Sequence, residues 1–147
     1  MTKKIETKKD DFDKKNKRKK GAFYEDLAKK WLEKKGYDVI LSNYQAGHLE
    51  IDLVALHQDT LAIVEVKYRK IKKEEQHKLA YHSVGIKKQK NLIKATNFFL
   101  MKNPKYKDTF QRFDVLLILD RGHEVSVEHL QNAFHAKQEE KNDLDTV

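Results

Sequence analysis

The chain of 147 residues has no cysteine, one proline and five glycines. The absence of cysteine excludes disulfide bonds and thiolate metal sites, and it favours a reducing, cytoplasmic location. No apolar run approaches the roughly 20 residues that a membrane-spanning helix needs, so we expect no membrane partner. The lysine-rich N-terminus has no apolar segment behind it, which argues against a secretory signal.

Positive charge dominates the composition but is unevenly placed. The net charge is +8, and residues 1–20 hold ten Lys/Arg against four acids, leaving only +2 for the rest of the chain. With few apolar residues, this segment predicts a disordered basic arm over 1–20. It could contact phosphates in a salt-sensitive way, or it could be a solubilising extension.

The remaining pattern predicts one α/β domain over 21–137 and a polar tail over 138–147. Apolar residues at helical spacing and runs rich in Val, Ile and Leu indicate the elements. The predicted helices cover 22–35, 85–101 and, as a short piece, 128–134; the predicted strands cover 37–41, 49–56, 61–67, 113–119 and 125–127, with a loop over 42–48. The main order is α-β-β-β-α-β-β, a central mixed sheet flanked by helices.

The two strands over 49–56 and 61–67 carry charged residues inside otherwise apolar runs. If their hairpin loop contains two or four residues, Asp52 faces Glu65 directly, and Lys67 projects from the same face as Glu65. Charges in such strands are costly unless something compensates them. A Mg²⁺ or Mn²⁺ ion would do so, and Lys67 could then hold the attacking water or stabilise charge on a phosphate.

A purely structural interpretation is also open. Lys67 could form a salt bridge with Glu65 or Asp52 on a solvated sheet face. A loop of odd length would shift the register by one residue and place the two acids on opposite faces.

The same residues resemble the D-x(n)-E-x-K signature of the PD-(D/E)XK nuclease superfamily. The motifs around them are Gly21 to Glu25, Gly36-Tyr37, Glu50 to Ala55, Val64 to Lys67 with Arg69, Lys87 to Gln89, Arg112 to Val115, and His129 to Phe134. In order and at compatible spacing over about 21–134, these motifs resemble the YraN family (uncharacterised protein family 0102) of small bacterial predicted endonucleases.

This resemblance implies a restriction-endonuclease-like core, distantly similar to archaeal Holliday junction resolvases. It further implies that Asp52, Glu65 and the Val66 carbonyl would bind the metal and that Lys67 would be the catalytic lysine. Glu25 matches the acid of the family's first helix, which in related nucleases lies close to the metal. An ordinary first-turn acid, favoured by the helix dipole, is the alternative for Glu25.

Four further residues are candidates for contacts with nucleic acid. Lys87, Lys88 and Gln89 open the second predicted helix, where backbone N–H groups and the helix dipole favour phosphate; a solvated lysine face, or Gln89 packed beneath the helix, is the alternative. Arg69 adjoins Lys67 and could contact the DNA backbone.

The expected function is a metal-dependent endonuclease acting on DNA, with branched or repair intermediates among its possible substrates. The rival interpretation is a nucleic-acid-binding protein of the same fold that does not cleave. A homodimer is left open, because resolving a junction would require two opposed sites.

Overall fold

The computed structural model describes residues 8–74 and 84–136, with side chains from residue 19 onward. Its elements follow the predicted order α-β-β-β-α-β-β. They are α1 (Lys8–Lys34), β1 (Asp38–Ala46), β2 (Leu49–His57), β3 (Thr60–Lys70), α2 (Ile86–Lys102), a single 3₁₀ turn (Pro104–Tyr106), β4 (Phe110–Asp120) and β5 (Val125–Phe134).

The five strands form one sheet in the order β1-β2-β3-β4-β5. β3 and β4 are parallel, and the other neighbouring pairs are antiparallel. A parallel pair needs a crossover connection, and α2 lies within the one that joins β3 to β4. This is the predicted mixed α/β fold, with the layout of restriction-endonuclease-like proteins.

Within residues 8–74 and 84–136, one helix packs on each face of the sheet. Ala28 and Leu32 of α1 pack against one face, in a cluster that includes Leu53, Val64 and Leu116. Against the other face, α2 contributes its buried residues, which are Leu92, Ala95, Thr96 and Phe99. In the same helix Ala95 is fully buried, whereas Ile93 and Leu100 are only partly buried.

The predicted turn or loop over 42–48 is wrong for residues 42–46, because β1 continues to Ala46; the turn itself is confirmed at Gly47 and His48. Pairing with β2 holds this polar segment in the sheet, from Ser42 opposite Leu53 to Ala46 opposite Leu49. β1 is an edge strand with one side open to solvent, so polar residues are tolerated there.

The predicted short helix over 128–134 is also wrong, because these residues belong to β5. The segment pairs with β4 through Val115–Leu130 and Phe113–Phe134, and a register shift lies between these pairs. Asn132 absorbs the irregularity with a φ of 56°. Tertiary pairing thus overrides a weak local helical preference.

The first helix begins at Lys8 rather than at residue 22. Residues 8–20, predicted to be disordered, are therefore helical, which agrees with a segment that lacks proline and is rich in the helix-favouring residues lysine and arginine. Residues 1–7, the segment 75–83 and the predicted tail over 138–147 lie outside the described residues. In the part of the chain that the structure describes, no helix is long and apolar enough to cross a membrane.

Candidate active site at the end of the β2–β3 hairpin

The β2–β3 hairpin has a two-residue loop, Gln58-Asp59, as one of the predicted registers requires. The pairs run from His57–Thr60 to Leu53–Val64. Gln58 adopts a φ of 53°, which a tight hairpin turn demands. The register that brings Asp52 and Glu65 together is therefore the one that the chain adopts.

The ladder between β2 and β3 ends at Leu53–Val64, one residue before Asp52. Ile51 and Val54 belong to the cluster beneath α2, whereas Leu53 belongs to the cluster beneath α1. The two-residue alternation of side chains is thus interrupted around Asp52. In this gap the Val66 N–H donates a hydrogen bond of 2.8 Å to Oδ2 of Asp52, so a side chain takes the place of a backbone partner.

The two carboxyl groups share a partly desolvated site. Burial, followed by the charge of Asp52, raises the pKa of Glu65 to about 7. Burial also raises the pKa of Asp52, against the opposing hydrogen bond from Val66. The Glu65 side chain is 13% exposed, and its Oε2 is buried without a hydrogen-bond partner. The pair therefore has unmet capacity to accept a proton or a cation.

Two lysines reach this site from different elements. Nζ of Lys88, on the first turn of α2, lies 3.6 Å from Oε1 of Glu65. Lys67 follows Glu65 by two residues on β3, and its pKa is lowered by burial and then by the charge of Arg69, with Glu65 opposing the shift. The structural interpretation of the sequence paired Lys67 with Glu65 or Asp52. In the structure, Glu65 forms its ion pair with Lys88 instead.

Glu25 lies near the candidate site through a contact with Asn43, a residue that sequence reasoning missed. Nδ2 of Asn43 donates a hydrogen bond of 2.9 Å to Oε2 of Glu25. Asn43 lies between the pairs Ser42–Leu53 and Tyr44–Ile51, and thus across the ladder from Asp52. Its φ of 52° suits asparagine, but no signal short of the structure places that residue there.

Of the other residues predicted to contact nucleic acid, Lys87 and Arg69 are exposed to solvent, whereas Gln89 is engaged within the protein. Lys87 and Arg69 lie near the site, and Nη1 of Arg69 donates to the carbonyl of Tyr68 at 2.7 Å. Nε2 of Gln89 donates to the carbonyl of Val84 at 2.7 Å, so this amide stabilises the start of α2. Its predicted contact with phosphate would require that bond to break.

The protein supplies only part of the ligand set that a small cation such as Mg²⁺ needs. Among the described residues, no group of three or more His, Cys, Asp or Glu side chains could hold a metal ion. Two carboxylates are nevertheless enough for Mg²⁺, which usually keeps several waters. The unpartnered Oε2 of Glu65 is an acceptor of the kind that such an ion uses, beside Asp52.

A second polar cluster lies on the α1 face, around the buried Asp114. Arg112 donates to both carboxylate oxygens, Nε2 of His129 lies 2.7 Å from Oδ2, and the Asn132 N–H donates to Oδ1. Burial opposes ionisation, but the hydrogen bonds from His129 and Arg112 outweigh it and lower the pKa of Asp114. Arg112 also donates to the Tyr37 hydroxyl at 2.6 Å, so the cluster ties β4 to β5 and to the end of α1.

Most of this chain is similar in sequence to known proteins. The sequence profile described as "Uncharacterised protein family UPF0102" matches residues 24–118. A UPF0102 protein of Aliivibrio fischeri is 39% identical over 114 residues, covering 77% of this chain and 90% of the relative. A UPF0102 protein of Alcanivorax borkumensis is 35% identical over 83% of this chain and 96% of the relative. One of Treponema pallidum is 33% identical over 78% of this chain and 90% of the relative.

The matched region contains α1 from Tyr24, the β2–β3 hairpin with both acids and Lys67, and the start of α2. The chain therefore belongs to the uncharacterised protein family UPF0102.

Proposed function

We propose that this protein is a metal-dependent endonuclease that hydrolyses phosphodiester bonds in DNA. The observation that carries the proposal is the pair of desolvated carboxyl groups, Asp52 and Glu65, with one buried oxygen that lacks a partner. A protein that only binds a polyanion gains nothing from acids beside the phosphate, because like charges repel. Acids beside the phosphate are useful when they bind a metal ion that acts on it.

In this proposal Asp52 and Glu65 would hold Mg²⁺ or Mn²⁺, with the Val66 carbonyl as a further ligand. The bound cation would supply Lewis-acid polarisation of the scissile phosphate. Asp52 is positioned for its role by the Val66 N–H, which fixes one carboxylate oxygen at 2.8 Å. Glu25 would act at the edge of the site through Asn43.

In this proposal Lys67 and Lys88 would orient the attacking water and stabilise negative charge on the phosphate. Water would add to phosphorus and give up a proton, one bridging P–O bond would break, and the leaving oxygen would take up a proton. Lys67, whose pKa is lowered, can orient the water and accept a hydrogen bond in its neutral form, or stabilise negative charge in its protonated form. Lys88 would exchange its contact with Glu65 for the substrate phosphate.

The test is a cleavage screen of the full chain over branched and linear DNAs with Mg²⁺ and with Mn²⁺. We expect metal-dependent cleavage that falls by at least about 100-fold in Asp52→Ala, Glu65→Ala and Lys67→Ala, as losses of positioned acid–base groups do. Asp59→Asn is the matched control, because it alters an exposed acid in the turn of the same hairpin. Unchanged activity in the Lys67 and Glu65 variants would contradict the site assignment.

One observation favours the rival function, a binding protein that does not cleave. The Lys88 ammonium already compensates part of the charge on Glu65, so the acids have a partner without a metal ion. This rival predicts equal DNA binding with and without Mg²⁺, and no nicking of any structure offered.

A further inference from the structure

The middle of α1 presents an aromatic ring to solvent. Phe23, which lies on the apolar side of the predicted helix, is 61% exposed. Its ring meets that of Tyr24 edge-on at 5.3 Å between centroids, and Tyr24 stacks on Tyr68 at 3.9 Å. These three residues, Phe23, Tyr24 and Tyr68, are here named the aromatic ledge.

The ledge is fixed to the sheet rather than carried on the helix alone. Tyr68 belongs to β3, and its hydroxyl donates a hydrogen bond of 3.1 Å to Oδ2 of Asp120 at the end of β4. The stacked pair therefore joins α1 to two strands. An exposed ring on such a support loses little conformational freedom when a flat ligand stacks on it.

The ledge lies on the α1 face of the sheet, at the end of β3 that carries the candidate active site. Tyr68 directly follows Lys67 on β3, so its ring projects from the face opposite to that of Lys67 and packs in the α1 cluster. Glu25 directly follows Tyr24 on α1 and contacts Asn43, which lies across from Asp52. A chain that is bound at Asp52 would therefore reach the ledge past Asn43 and Glu25.

Cations lie beside the ledge. Lys20 and Lys70 are exposed, as is Arg69, whose Nη1 donates to the Tyr68 carbonyl. Lys70 and Lys20 lie close enough to Asp120 to contribute to its lowered pKa, after the hydrogen bonds from the Gly122 N–H and Tyr68. Flat apolar rings among cations match a ligand with flat apolar groups on an anionic backbone, which is single-stranded nucleic acid.

We propose that the aromatic ledge stacks an unpaired base, so that this protein binds nucleic acid with a single-stranded segment next to the active site. This inference rests on the proposed function and specifies its substrate class. Stacking on an exposed ring needs a base that is free of its own duplex stack. Continuous duplex is therefore the poorer ligand for the ledge.

The experiment measures binding of fluorescently labelled strands to the full chain by anisotropy, with a chelator present so that no cleavage occurs. The strands are an oligothymidylate, an abasic strand of equal length and a duplex. Phe23→Ala is expected to weaken binding of the oligothymidylate by about 5- to 150-fold, the range for loss of one base–aromatic stack. Binding of the abasic strand should be unchanged, and Phe23→Trp should restore the affinity for oligothymidylate.

Phe98→Ala is the matched control, because Phe98 is an exposed phenylalanine on α2 outside the ledge; it should bind all three strands as the native chain does. Native affinity of Phe23→Ala for the oligothymidylate, or an equal loss on all three strands, would overturn the ledge. Cleavage plays no part in this readout. A failed cleavage screen with a positive binding result therefore removes only the proposed function, and the converse removes only the ledge.

Discussion

Burial disfavours the charged forms of two residues in the candidate site, Glu65 and Lys67. Glu65 is partly desolvated beside a second acid, and one of its oxygens has no partner. Lys67 is partly desolvated on the same strand. Groups with such shifted pKa values concentrate at functional sites, although structural ion pairs also produce them. The consequences can be measured without knowing the substrate.

The stability of the metal-free protein should depend on pH through Glu65. Its pKa is about 7 in the folded chain against an ordinary value of 4.5, so the folded state retains a proton that the unfolded state releases between these values. Stability therefore falls as pH rises through this window. Glu65→Gln should raise the free energy of unfolding at pH 8 by up to about 3 kcal/mol, and by much less near pH 5.

This dependence is measured by urea unfolding in the presence of a chelator at both pH values. Glu50→Gln, at an exposed acid of the same hairpin, is the control and should show a smaller effect. An equal gain for Glu65→Gln at the two pH values would contradict the pKa assignment.

Addition of Mg²⁺ or Mn²⁺ should stabilise the folded chain, because a ligand of the native state alone shifts unfolding by mass action. At a metal concentration of about 100 times the dissociation constant, the free energy of unfolding should rise by about 2.7 kcal/mol. Each kcal/mol raises the melting temperature by roughly 2–4 °C. Thermal unfolding with increasing metal measures it. Asp52→Asn should abolish the shift and Asp59→Asn should keep it, and a shift retained in Asp52→Asn would place the metal elsewhere.

At the scale of elements, the site depends on where strands stop pairing. β2 leaves β3 after Leu53–Val64, and the Asp52 carboxylate occupies the gap. On the opposite side of the sheet, the Asp114 cluster performs a similar task for β5, whose Asn132 N–H it accepts. At each of these two irregularities a carboxylate accepts a backbone N–H.

Loss of the Asp114 charge should destabilise the fold strongly. Asp114→Asn leaves the guanidinium of Arg112 without its carboxylate in a mostly buried position, and breaking such a pair costs about 3–5 kcal/mol. Denaturant unfolding at pH 7 measures the loss. Asp108→Asn, at an exposed turn residue, should stay within about 0.5 kcal/mol of the native chain, and a comparable effect of both substitutions would count against the cluster.

Sequence patterns predicted those elements whose evidence is local. The hairpin register follows from the length of its loop, which the sequence left open between even and odd; the two-residue loop of the structure is the predicted even case that brings Asp52 to Glu65. The strand nature of residues 128–134 could not be read locally, because pairing with β4 and the bond to Asp114 determine it. The same holds for the site: Lys88 was predicted to contact phosphate, but its contact with Glu65 depends on how α2 crosses the sheet.

For the whole molecule, net charge bears on partners more than on fold. The candidate site and the start of α2 combine acids with surrounding lysines, whereas the Lys102 end of α2 lies beyond the apolar residues that pack on the sheet. If the protein binds DNA as proposed, only some lysines should contact phosphates. Salt dependence separates these from the others.

Lys87→Ala should lower the slope of log affinity against log salt by about 0.9, the value for one phosphate contact on duplex DNA. Lys102→Ala, at the other end of the same helix, should leave the slope unchanged. The measurement is DNA binding by the full chain over a series of salt concentrations in a chelating buffer. Equal slopes for both variants would show that the first turn of α2 does not bind the backbone.

The parallel pairing of β3 with β4 has a consequence for the order of folding. Thr60 pairs with His57 across a two-residue turn, but it pairs with Phe110, fifty residues along the chain, on its other side. Closing a turn is fast, whereas long-range strand pairing is slow. We therefore expect Asp52 and Glu65 to meet while still hydrated, and to lose their water only when β4 and α2 close over them.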